Sequence, residues 1–170
     1  MHKPNRFEFY CEAEIDINCD ANMAYQALFD LKDWSKLLPH VQAIDVLYDD
    51  NRYQEFLMTV DSDPGQIKVR SVRNCNKEAL HIDFFQPEPP KFLKHHAGGW
   101  NFIKTEEEKC RVVTYHQWNL NTNIAAEMFK DAEQGYQERV KNLLLEHANF
   151  ALQNWKRILE SQTIQVLNVA

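Results

Sequence analysis

One stretch near the start of the chain constrains the fold more than any other. Phe7, Phe9, Cys11, Ala13, Ile15 and Ile17 alternate without a break with Glu8, Tyr10, Glu12, Glu14 and Asp16. Successive strand side chains point to opposite faces, so this period-two run predicts one long strand with a dry face and a wet face. A half-solvated strand belongs to an antiparallel sheet, because parallel sheets are covered on both sides. The rest of the chain must therefore supply partner strands and one layer to cover the apolar face.

It supplies both. Asp20-Ala21-Asn22 offers capping oxygens, and Met23, Ala24, Ala27 and Leu28 recur at helical spacing, which predicts a short helix ending near Asp30. A second short helix, Trp34 to Leu38, is stopped by Pro39, since the residue before a proline avoids helical dihedrals. Strands follow at Val41 to Tyr48, Tyr53 to Val60, Ile67 to Arg73 and Leu80 to Phe85. Asp49-Asp50-Asn51, Asp63-Pro64-Gly65 and Asn74-Cys75-Asn76 punctuate them. Pro87-Glu88-Pro89-Pro90 interrupts the sheet pattern, because no central strand holds such a run. Trp100 to Lys104 and Arg111 to Leu120 read as a hairpin about Thr105-Glu106-Glu107-Glu108, whereas periodicity does not place Phe92 to Gly99.

From about Ala125 to Glu160 there is no proline, and Gly135 is the only glycine. Tyr136, Val140, Leu143, Leu144, His147, Phe150, Ala151, Ile158 and Leu159 trace an apolar stripe at period 3.6. The concave face of the sheet is the one surface that can bury it. The predicted architecture is an α+β helix-grip. A curved antiparallel sheet wraps a long C-terminal helix, two short helices follow strand 1, and the layers enclose a hydrophobic cavity. The expected organisation is a single domain over residues 1–170, with its core at about 7–160 and short flexible tails at both termini.

Composition narrows the partners. The 170 residues carry 19 Lys+Arg against 25 Asp+Glu, a net charge of −6, which argues against a duplex nucleic-acid binder. No apolar run is long enough for a membrane span, and the start lacks the apolar core of a signal peptide, so a cytoplasmic location is expected. Cys11, Cys19, Cys75 and Cys110 contain no CxxC pair, so they read as reduced, partly buried thiols rather than a metal or thioredoxin motif.

Strand parity nominates the polar groups that face inward. Val112, Thr114, His116, Trp118 and Leu120 form the more apolar face of the last strand. Trp100 and Phe102 point inward on the strand before it. Counting back through Gly98 and Gly99 aims His96 inward and His95 outward, unless a bulge exchanges them. Ile82 and Phe84 place His81 and Asp83 outside, and Ser71 and Arg73 share a face with Ile67 and Val69. Each has a plainer reading: Arg73 paired with a carboxylate, His116 and His147 as core histidines, the tryptophans as packing. His95 and His96 do not form a metal pair, because neighbouring strand residues face opposite ways, and no metal is expected.

Three motifs carry a resemblance that spans Phe7 to Leu159. Asp30-Leu31-Lys32-Asp33-Trp34 through Pro39-His40-Val41 is similar to the "D-x-x-x-W-x-x-x-x-P" helix pair of the helix-grip superfamily, the polyketide cyclase, START and birch-pollen-allergen type. Gly98-Gly99-Trp100-Asn101-Phe102 and Cys110-Arg111-Val112 are similar to its last two strands. Within it the chain most resembles aromatase/cyclases of aromatic polyketide synthesis. Val69-Arg70-Ser71-Val72-Arg73 matches their Trp-x-Ser-x-Arg stretch at Ser71 and Arg73, with Val69 in place of the Trp. Trp34 matches a helix Trp, while a tyrosine seven residues on is Val41 here. Coenzyme-Q-binding proteins are competing relatives through the Gly-Gly-Trp-x-Phe segment.

The resemblance implies cofactor-independent intramolecular aldol cyclisation and dehydration of a poly-β-ketone. His116 or His96 would transfer protons, Arg73 would steady an enolate or alkoxide, and Ser71 would donate a hydrogen bond. Trp34, Val69, Phe84, His95, Trp100, Phe102, Thr114 and Trp118 would shape the substrate site. An acyl carrier protein is the implied partner if the substrate is tethered, with Lys and Arg expected at the mouth. The alternative is a non-catalytic carrier of a lipid, quinone or aromatic metabolite, in which the histidines are lining only.

Overall fold

The computed structural model describes residues 7–62 and 65–169. The alternating stretch is strand β1 (Phe9–Ile17), with Cys11 and Ile17 buried and the intervening Glu12, Glu14 and Asp16 in solvent. Helix α1 (Ala21–Phe29) follows, capped by Asp20, whose carboxylate accepts from the Asn22 N–H at 2.9 Å. A 3₁₀ turn (Leu31–Asp33) leads into helix α2 (Trp34–Leu37), which ends before Pro39.

Six strands then run in chain order: β2 (Val41–Asp49), β3 (Tyr53–Ser62), β4 (Gly65–Asn76), β5 (His81–Phe85), β6 (Leu93–Glu106) and β7 (Lys109–Leu120). They form with β1 one antiparallel sheet of order β1-β7-β6-β5-β4-β3-β2. Turn chemistry sets the β2–β3 hairpin: Asp50 Oδ1 accepts from the backbones of Arg52 and Tyr53, and Asn51 takes the left-handed conformation at φ +68°. Of the expected turn Asp63-Pro64-Gly65, Asp63 and Pro64 lie outside the described residues, and β4 begins at Gly65. The segment that periodicity does not place, Phe92 to Gly99, is largely the first half of β6. A register shift between Leu93 and His95 breaks its alternation at the outset.

The C-terminal region differs from the expected single helix. Helix α3 (Thr122–Met128) is separate from α4 (Tyr136–Val169), and Gly135, just before α4, takes φ +87°, a conformation that an L-residue resists. Helix α4 also continues through Val169, where the expectation was a flexible tail after about residue 160. The expected N-terminal tail, residues 1–6, lies outside the described residues. The long helix packs on the concave face and divides the interior. Leu152, Trp155, Ile158 and Leu159 join Tyr25, Leu28, Ile82 and Phe102 in one core cluster. Val140 and Leu144 join Leu93, Trp118 and Leu120 in a second. All four cysteines are buried and free. No helix among the described residues is long and apolar enough to cross a membrane.

Candidate functional site

Between the two clusters the layers leave a cavity of about 260 Å³. Parity along β4, β6 and β7 brings Ser71, Arg73, His96, Trp100 and His116 to it, with Phe84 from β5 and Trp34 from α2. Leu144, His147, Ala148, Ala151 and Trp155 of α4 close the opposite wall. The lining reaches the surface where His40, after α2, meets the exposed ring of Phe150 on α4 edge-on at 5.3 Å.

The polar centre is a chain of three side chains. His96 Nδ1 lies 2.6 Å from Gln86 Oε1, and His96 Nε2 lies 2.9 Å from His116 Nδ1. Gln86 is itself fixed by its N–H donating to the His96 carbonyl at 3.0 Å. An amide oxygen only accepts, so His96 donates from Nδ1 and must accept at Nε2. His116 then donates from Nδ1 and presents a bare Nε2. That nitrogen has no hydrogen-bond partner among the described residues and is not one of the buried polar atoms left unpaired, so it opens to the cavity. Burial pushes His96 down to about 3 and His116 to about 4, and each is lowered further by a neighbouring histidine. Both imidazoles are therefore neutral at pH 7.

Glycine makes room for this pair. A Cβ on Gly98 would stand 2.1 Å from the Tyr115 carbonyl oxygen and 2.6 Å from Phe84 Cζ. Its absence lets the Phe84 ring lie across β6 and meet both imidazoles edge-on at 5.6 Å. On the other face of the sheet Gly99 does the same for Tyr115, whose ring would be 2.7–2.8 Å from a Cβ.

Arg73 departs from its expected use. It is buried at 4% exposure without a carboxylate partner among the described residues, and its guanidinium lies over the rings of Trp34 and Phe56 at 5.2 and 5.4 Å. Its Nη1 donates to the Leu28 carbonyl at 2.8 Å, its Nη2 to the Phe29 carbonyl at 3.0 Å, and its Nε to Gln54 Oε1 at 3.1 Å. Leu28 and Phe29 end α1, where helix carbonyls lack internal partners and the helix dipole is negative, so the cation closes that end. Desolvation lowers Arg73 to about 10, which leaves it charged at neutral pH.

Four other expected site residues do not reach the cavity, and one faces away from it. Phe102 packs edge-on to Tyr25 in the core at 5.7 Å. Thr114 is fully buried and donates to the Gly99 carbonyl at 3.1 Å. Trp118 is stacked on Phe9 in the second cluster. Val69 shares a face with Ser71, but it lies nearer the exposed end of β4, beyond the lining. His95 points outward, as alternation indicated, and meets the Asn119 side chain at 3.1 Å. Conversely, the lining includes Gln86, His147, Phe56 and Trp155, which were not nominated. His147 lay on the apolar stripe of α4, the one signal that could have found it. Ser71 Oγ has no partner among the described residues and faces the cavity.

No family model and no curated protein matches the sequence. Solved structures do. The di-domain ARO/CYC BexL of the BE-7585A biosynthetic pathway is 25% identical with a TM-score of 0.77, over 89% of this chain and 50% of that one. The di-domain ARO/CYC StfQ of the steffimycin pathway is 23% identical with a TM-score of 0.77, over 91% and 52%. The Zhui aromatase/cyclase of Streptomyces sp. R1128 is 17% identical with a TM-score of 0.69, over 88% and 94%. The chain spans about half the length of the two di-domain proteins. It has the helix-grip fold of the superfamily to which these aromatase/cyclases belong.

Proposed function

We propose that the chain is a polyketide cyclase that folds a poly-β-ketone in its cavity and catalyses intramolecular aldol closure followed by loss of water. The observation that carries this reading is the hydrogen-bonded chain of Gln86, His96 and His116, which leaves Nε2 of His116 to the cavity. A CH2 between two carbonyls is acidic enough for a positioned neutral imidazole to take its proton. The resulting enolate carbon attacks a carbonyl carbon of the same chain, forming the C–C bond. The carbonyl oxygen then takes the proton back and becomes a hydroxyl, which leaves as water with a second α-proton. The sequence is redox-neutral and needs no cofactor.

The imidazolium formed on His116 still donates from Nδ1 to His96 Nε2, which stabilises it. Ser71 Oγ is available to donate to the developing alkoxide, and His147 on the opposite wall is a second group able to return a proton. Arg73 contributes its field rather than a direct grip on the enolate. Flat rings of Trp34, Phe84, Trp100 and Trp155 hold the folded chain so that the reacting carbons meet, an entropic advantage that often exceeds the acid-base contribution. If the substrate is tethered, an acyl carrier protein would deliver it.

The test is product profiling of the cognate polyketide synthase with the protein present, absent and as His116→Asn. The expected result is a defined ring-closed product with the intact protein and its loss in the variant. Identical products in all three reactions would sink the cyclase and leave a carrier of an aromatic or lipid-like guest.

A further inference from the structure

We infer that the cavity receives a neutral phenol or enol of one or two fused rings, which donates its hydroxyl proton to His116 Nε2, and that it rejects the corresponding carboxylate. This deepens the reading above by naming the chemical class of the guest, and it holds for a cyclase or a carrier alike.

The direction of the hydrogen-bond chain is the first argument. The Gln86 oxygen at His96 can only accept, and a neutral His96 then accepts at Nε2 from His116, so what reaches the cavity is a lone pair rather than an N–H. A guest must bring a donor. A hydroxyl does so, while a carboxylate meets that lone pair with its own and loses its hydration as well.

Charge is the second argument. Among the described residues no carboxylate lines the cavity, and the one Lys or Arg in the lining is Arg73, whose guanidinium already donates to Gln54 and the end of α1. The remaining titratable lining groups are His40, His96, His116 and His147, and burial lowers all four. Among the described residues the lining offers an anionic guest no cation free of protein partners.

Size is the third. A sealed apolar cavity of roughly 150 Å³ holds benzene. The space here is about 260 Å³, so two fused rings fit and a third must project past His40 and Phe150. Aromatic walls favour a flat guest.

The experiment is calorimetric titration of the intact protein at pH 7.5 with 2-naphthol, 2-methoxynaphthalene, 2-naphthoate and 2-anthrol. 2-Naphthol should bind at one site, roughly five- to tenfold tighter than its methyl ether, the increment of one net hydrogen bond. 2-Naphthoate and 2-anthrol should both be weaker than 2-naphthol. Naphthoate binding as tightly as naphthol, the ether binding as tightly as the phenol, anthrol binding tighter, or no binding at all would each overturn the inference. In His116→Phe the phenol's advantage over the ether should vanish. Should that variant not fold, imidazole 15N spectra of the wild-type protein decide: Nε2 of His116 should be unprotonated and shift on adding naphthol, and a protonated Nε2 overturns the idea. Lost cyclisation with this binding order intact refutes catalysis alone, whereas a reversed order with cyclisation intact refutes this recognition alone.

Discussion

Replacing Arg73 by methionine separates a structural cation from a catalytic one. Methionine keeps much of the stem volume and removes all the donors. The Phe29 carbonyl still accepts from Gln54 Nε2 at 3.2 Å, and Gln54 Oε1 keeps a weak Cys75 thiol donor at 3.4 Å. The Leu28 carbonyl, by contrast, loses its partner entirely. A buried acceptor left unpaired costs about 1–3 kcal/mol. One full orphan and one nearly so, offset by the lost desolvation cost of the charge, give a net destabilisation of about 3 kcal/mol. Exchanging a buried charge for a hydrophobe is often neutral when its partners are exchanged too. Here two of the partners are backbone carbonyls, which no substitution removes. With a urea dependence of roughly 2 kcal/mol per molar, the unfolding midpoint should fall by about 1.5 M. Adding Gln54→Leu removes the Gln54 acceptor but also the last donor to the Phe29 carbonyl, so the double variant should recover nothing. A midpoint within about 0.3 M of wild type would show that the guanidinium does not hold the end of α1, and Arg73 would return as a direct ligand of the guest.

Two further outcomes follow from the imidazole pair and its floor. Gly98→Ala places a methyl 2.1 Å from a backbone oxygen that cannot move cheaply, so it should cost about 3 kcal/mol and lower the thermal midpoint by roughly 10 °C; a melt within about 2 °C of wild type would contradict the close approach of the Tyr115 carbonyl. Stability should also fall with acidity. Unfolded imidazoles titrate near 6.5, while the folded His96 and His116 are depressed to about 3 and about 4. Between those values the unfolded chain binds more protons, so this contribution is complete above about pH 7 and is lost as pH falls from about 6.5 toward 4. A His96→Leu/His116→Phe variant should show a shallower loss than wild type in urea titrations at pH 7, 5.5 and 4.5, and parallel losses would refute the assignment.

Face was legible in the sequence, and depth was not. Alternation on β1, and alternation counted back through Gly98 and Gly99 to His96, both match the structure, because pleat geometry is local and the one nearby bulge lies earlier, between Leu93 and His95. Thr114, His116 and Trp118 share a face, yet only His116 meets the cavity. The others are covered by elements whose placement depends on contacts far along the chain. Arg73 shows the same limit, since its partners at Leu28 and Phe29 lie 45 and 44 residues away. Gln86 sits just past β5, where no period announces a side chain's direction. The α4 stripe told that a helix must cover the sheet, but not that it is interrupted before Tyr136, because the positive φ of Gly135 has no sequence period.

The glycines of β6 also decide how a descendant of this chain could come to accept a different guest. A methyl at Gly98 would meet the Tyr115 carbonyl and one at Gly99 would displace the Tyr115 ring, so the floor beneath the imidazoles has few neighbouring variants to sample. Helix α4 does: Ala148 and Ala151 stand on the opposite wall, each one substitution from a bulkier residue. Selection can then retune the volume from the helix side while the proton-handling side stays as it is. Guest range and chemistry become separately inheritable traits, one variable and the other held by two missing side chains.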